Sequence, residues 1–127
     1  MNARPWEFVV VENEELKKEI TKIHPYCRSL PDAALAIVVC GGPKAPSVDG
    51  LWQQDCAAAT ENILLQATEL GYGTCWCAIY PNQERYAAFA KLLNVTSTPF
   101  SLILVGVADE QPTQRGFYDQ ARVRYLR

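Results

Sequence analysis

Four short runs along the chain are dense in β-branched and aromatic side chains. They are residues 6–11 (WEFVVV), 34–40 (ALAIVVC), 74–80 (TCWCAIY) and 99–108 (PFSLILVGVA), and each reads as a strand. The second and fourth are apolar almost throughout, as expected of strands covered on both faces. Between them the period changes to that of a helix. Asn13 is a good N-cap, followed by Glu14 and Glu15 and then by Lys17, Lys18 and Lys22, which predicts a helix ending near His24-Pro25. Asn82 caps a second, over about 84–93, with Tyr86, Phe89, Ala90 and Leu93 on one face. The longest helix is predicted over 51–70. Its polar pairs Gln54/Asp55, Glu61/Asn62 and Thr68/Glu69 recur every seven positions and make one narrow, drifting stripe. Nearly everything else on it is apolar or small, including Ala57, Ala58 and Ala59, so it is expected to be buried around most of its circumference, at the centre or at a subunit interface. Gly71 closes it as a C′ residue. Residues 44–50 read as a loop, and beyond Pro112 the chain turns polar and extended. Strands alternating with helices predict an α/β or α+β class with helices on both faces of a sheet.

Composition narrows the class. The chain has 127 residues, which suits one domain with a real core. No run is long enough to span a bilayer, and no signal peptide is visible at the start. Five cysteines without framework spacing and a single histidine favour reduced thiols in a cytoplasm over disulfides or a metal site. A net charge of −2 argues against nucleic acid as partner. The charge is uneven, however. Residues 115–127 hold Arg115, Arg122, Arg124 and Arg127 against Asp119, so the tail carries +3 and the remainder −5. A basic tail on an acidic body suits a local anion, from a ligand or from a neighbouring subunit.

Acid–base chemistry is sparse. Cys75 and Cys77 form C-x-C, read as two structural thiols on opposite faces of a strand rather than a redox dithiol. His24 stands three residues before Cys27, but no third group is in view to orient it as a base, so it reads as a helix-end histidine. The glycine turns Gly41-Gly42 and Gly71-Tyr72-Gly73 lack the spacing of a dinucleotide fingerprint or a P-loop. In an extended tail Arg122 and Arg124 face the same way, and either converge on one anion or form a solvated basic terminus.

At this point the residues reach a family. Asn2-Ala3-Arg4-Pro5-Trp6-Glu7-Phe8 followed by VVV resembles the N-x-[QR]-P-W-x-F segment of FMN-dependent nitroreductases. His24-Pro25-Tyr26 with the strand ALAIVVCG resembles that family's next block, and the run from Asp55 to Leu65 its central helix. Gly71-Tyr72-Gly73-Thr74-Cys75-Trp76-Cys77-Ala78-Ile79-Tyr80-Pro81 is similar to its G-x-G-x-x-W-x-G-x-Y-P turn. Phe117-Tyr118-Asp119 through Arg122-Val123-Arg124-Tyr125 is similar to its C-terminal arm.

The resemblance implies an α+β fold, an α/β/α sandwich with a mixed central sheet flanked by helices. It implies one FMN-binding domain over 1–127, with the arm from about 112, and an intertwined homodimer holding FMN at the subunit interface. The implied reaction passes hydride from NADH or NADPH to the flavin and on to a nitroaromatic, quinone or similar small-molecule acceptor. The flavin carries the chemistry, so no catalytic side chain is expected. Asn2 and Arg4 are implied to reach the flavin from one subunit, and Ala78 and Ile79 to offer backbone N–H groups from the other, with Tyr80 and Pro81 as wall. Arg122 and Arg124 would hold the phosphate, and Tyr26 and Arg28 would approach the pyrimidine edge. The chain departs from the pattern as well. It resembles an N-terminally short member, without the first helix, its arginine-rich phosphate segment or the A-P-S-A stretch, and it lacks the arm's closing Trp. It carries Ala78 where the family prefers glycine, which allows close approach of a ligand to backbone. A second reading from a different class is a non-catalytic relic, a structural or small-ligand-binding dimer.

Overall fold

The computed structural model describes residues 3–42, 50–113 and 116–127. Four strands, β1 (Glu7–Val11), β2 (Leu35–Gly41), β3 (Gly73–Ala78) and β4 (Thr98–Gly106), alternate with three helices, α1 (Glu14–Ile23), α2 (Trp52–Glu69) and α3 (Gln83–Leu93). Side-chain caps set two of the helix starts. Asn13 Oδ1 accepts the Leu16 N–H at 2.9 Å, and Asn82 Oδ1 accepts the Arg85 N–H at 2.9 Å. Gly71 takes φ +84° after α2, where its N–H reaches the Thr68 carbonyl and the Tyr72 N–H reaches the Ala67 carbonyl, a Schellman closure. The predicted loop over 44–50 lies, apart from Gly50, outside the described residues.

The strands form one sheet in the order β1-β2-β4-β3, and every pairing is antiparallel. The expected mixed sheet is therefore corrected for this chain. Strands β2 and β3 do run the same way and are joined by a helical crossover, but β4 inserts between them and pairs antiparallel with both. Alternation then divides the core. Val38, Leu102 and Leu104 face α1 and α3, where they meet Ile20 and Phe89, while Val39 and Ile103 face α2 and meet Cys56 and Ile63. Lys17 is buried under the first helix, its ammonium held by the Ala33 carbonyl and the Glu14 carboxylate, each at 2.8 Å.

The long helix is less covered than its composition predicts. Its polar stripe is exposed as expected, but only Cys56, Thr60 and Ala67 are fully buried, and Ala58, Leu65 and Leu70 face outward. One sheet face can cover only one stripe of a helix. No described helix is long and apolar enough to cross a membrane.

Candidate functional site

The register of β4 slips by one between Val39↔Ser101 and Cys40↔Pro99, leaving Phe100 as the extra residue. A bulge of this kind re-aims a side chain, and Phe100 joins the α2 side of the sheet. Its carbonyl accepts two N–H groups from the end of the edge strand β3, Ile79 at 3.1 Å and Tyr80 at 3.0 Å. The turn at Tyr80-Pro81, a cis peptide, then leads straight into the Asn82 cap.

The next peptide plane back is held from the other side. The Ala78 carbonyl accepts from His24 Nε2–H at 2.9 Å and from the Arg85 guanidinium at 2.9 Å. Since Ile79 donates inward, and backbone groups of successive strand residues alternate in direction, the Ala78 N–H and carbonyl point together off the open edge of β3. Ala78 is exposed and Ile79 fully buried. Of the two backbone donors expected for a flavin, Ala78 is the one that faces outward. The Ile79 N–H is instead committed to the Phe100 carbonyl.

His24 organises this edge. Its Nδ1 accepts the Tyr26 N–H at 3.2 Å, so both ring nitrogens are engaged in a neutral tautomer with the proton on Nε2. Burial pushes its pKa below the ordinary value, and the Arg85 charge adds to this against the bond to Ala78. The ring meets Tyr26 and Phe89 edge-on at 6.0 and 6.2 Å. Tyr26 is 76% exposed, with the Arg85 guanidinium 6.0 Å from its ring centre. No thiol–imidazole pair forms. Cys27 donates to the His24 backbone carbonyl at 3.2 Å, and burial raises its thiol to about 11.

Beside Ala78 stands an aromatic group. Tyr80 stacks between Tyr86 and Phe100 at 5.9 and 6.1 Å, and Trp52 meets it edge-on at 5.1 Å. Gln53 Nε2 lies 3.4 Å from the Tyr80 hydroxyl, and Gln53 Oε1 is a buried acceptor without a partner. The fold thus brings Tyr26, Ala78, Ile79, Tyr80 and Pro81 together around His24, which the sequence reads only as a helix-end histidine, and Arg85, which the sequence reading passed over. Arg85 had a legible signal, because it follows the Asn82 cap by three positions, on the turn that faces back to β3.

Asn2 lies outside the described residues. Arg4 is exposed with φ +49°, and Arg28 is exposed. Arg122 ends a short 3₁₀ turn (Gln120–Arg122), where its Nε contacts the Asp119 carboxylate at 3.3 Å and its guanidinium rests 5.2 Å from the Phe117 ring centre. The turn corrects the premise that Arg122 and Arg124 lie on one extended segment. Both are exposed, and no described contact joins them to the β3 edge. Among the described residues no group of three or more His, Cys, Asp or Glu side chains can hold a metal ion.

An antiparallel sheet covered by two helices on one face and a third on the other, with a site of backbone groups and aromatic rings at its edge, defines an α+β sandwich domain. Residues 24–108 match the family model described as Nitroreductase family, and the chain belongs to the nitroreductase family. It is 38% identical over 125 residues to a protein of Methanothermobacter thermautotrophicus provisionally named NADH dehydrogenase/NAD(P)H nitroreductase, covering 97% of this chain and 65% of the relative. It therefore spans just under two thirds of that relative's length. Among solved structures, a provisionally named NADH oxidase from Clostridium acetobutylicum superposes with TM-score 0.91 at 32% identity, over 99% of this chain and 78% of the other. An FMN-dependent nitroreductase from Clostridium difficile superposes with TM-score 0.85 at 25% identity, over 98% and 76%.

Proposed function

We propose that this chain is an oxidoreductase that uses FMN to pass hydride from NADH or NADPH to a nitroaromatic, a quinone or a similar small acceptor, acting as a cytoplasmic homodimer. The observation that carries the reading is the Ala78 edge, an outward-facing backbone donor whose following peptide is fixed by His24, Arg85 and Phe100. Family membership and the FMN named for the Clostridium difficile relative support it. Bound FMN would supply the hydride chemistry. The chain's own part is to present the Ala78 N–H to the ring system, to wall it with Tyr80 and Pro81, and to offer cations from the tail to the phosphate. A rigid donor needs no reorganisation when charge develops on its partner.

The test is thermal. A ligand that binds only the folded state and is present at one hundred times its Kd adds about 2.7 kcal/mol. For a domain of this size that raises the melting temperature by about 5–10 °C. Added FMN is expected to produce such a shift, and the loaded protein to oxidise NADH or NADPH when given a quinone. No shift at millimolar FMN overturns the reading. The relic reading draws on Arg122, whose guanidinium is already paired within the chain. A shift without turnover, unrepaired by Ala78→Gly, supports it.

A further inference from the structure

Cys75 and Cys77 are not on opposite faces of their strand. Residues two apart on a strand share a face, and the two Sγ atoms lie 4.0 Å apart on the side of β3 turned toward α1 and α3. Cys75 is exposed and lines a cleft of about 740 Å³ that also carries the carboxylates of Asp32, Asp109 and Glu110. Cys77 lies behind it, buried. We propose that this pair is a binding site for a soft monovalent d¹⁰ cation of the copper(I) class, held between the two sulfurs at the floor of the acidic cleft.

Four observations favour a soft cation over zinc or a disulfide. Two sulfurs 4.0 Å apart, each about 2.3 Å from a shared ion, subtend roughly 120° at it, a geometry open to a soft ion of low coordination number. Zinc would ask for four ligands, and no described cluster reaches even three. An intrastrand disulfide is poorly placed, because two strand steps separate the Cα atoms by about 6.6–6.8 Å, the upper limit for that bond. The three carboxylates also repel an anionic disulfide reagent while drawing in a cation. Binding breaks two S–H bonds, forms two sulfur–metal bonds and sends two protons to solvent, with no change of oxidation state.

The experiment is an anaerobic titration of the reduced full chain with copper(I) against a chromophoric copper(I) chelator. The expected result is one ion held per chain, with affinity rising by up to about a hundredfold per pH unit as two protons are released. Cys75→Ser, at an exposed position, is expected to keep the wild-type melting temperature and to bind at least about a hundredfold more weakly. Cys77→Ala should weaken binding similarly. Undiminished binding by Cys75→Ser, an affinity indifferent to pH, or zinc(II) held as tightly as copper(I) would each overturn the proposal. None of these readouts depends on flavin.

Discussion

His24 is the residue on which most of the site's order converges, and it makes a prediction that other residues cannot blur. It is the chain's single histidine, is 1% exposed, and its burial lowers the pKa. A histidine kept neutral by the fold is protonated more readily once the chain unfolds. Between the depressed folded value and the ordinary one near 6.5, the unfolded state therefore binds more protons. Its contribution is thus fully present above pH 6.5 and is lost as pH falls toward the folded pKa. Urea unfolding at steps from pH 8 to 5 should show stability declining below about 6.5, and His24→Gln should flatten the decline across that window. An unchanged slope in the variant would place the titration elsewhere. At this scale the sequence was read only in part. A helix-end position for His24 was legible from the cap pattern, but its ring partners were not, because Ala78 lies 54 positions away. The partner of the Ile79 N–H was hidden for the same reason, since that N–H is taken by a carbonyl on another strand. The Cys75/Cys77 error was different in kind, a strand periodicity misapplied to residues that share a face.

Element boundaries were far more legible, because the chemistry that sets them is local. Asn13, Asn82 and Gly71 cap or close helices where their side chains or backbone freedom predict. Strand order was not legible, because the insertion of β4 between β2 and β3 depends on pairings across the chain. How α2 docks was also hidden. Thr60 and Ser101 are both fully buried, with oxygens 2.8 Å apart, and Thr60 Oγ1 also donates to the Cys56 carbonyl at 2.8 Å. The threonine proton is thus spoken for, and Ser101 donates to Thr60. Thr60→Val would strand that serine hydroxyl against α2 and should cost about 1–3 kcal/mol. Adding Ser101→Ala removes the stranded group, so the double variant should be more stable than the sum of the two single losses predicts. Strictly additive losses in denaturant unfolding would show that this bond is not what holds the helix.

The described residues leave a large amount of apolar surface uncovered. Leu65 and Leu70 on and just beyond α2 are 59% and 64% exposed, and Phe117, Tyr118, Tyr125 and Leu126 of the tail stand out in solvent. Trp6, Phe8, Ile37, Ala59 and Ile63 also line an apolar groove of about 630 Å³ between the sheet and α2. An apolar groove of this size suits an interaction site. The alanine-rich stretch of α2 suits close approach of another helix, and the aromatic side chains of the tail are left exposed among the described residues. A homodimer of the kind proposed would cover both at once, by α2 packing and by exchange of tails. Sedimentation at micromolar concentration should therefore find a dimer. Leu65→Glu provides the sharper test. In a monomer, substitution at so exposed a position changes stability by no more than about 0.5 kcal/mol. Within an interface it buries an unpaired carboxylate and should dissociate the dimer by tenfold or more, on the order of 1.4 kcal/mol. A compact monomer in the wild type, or a dimer as tight in the variant, would remove α2 from the interface.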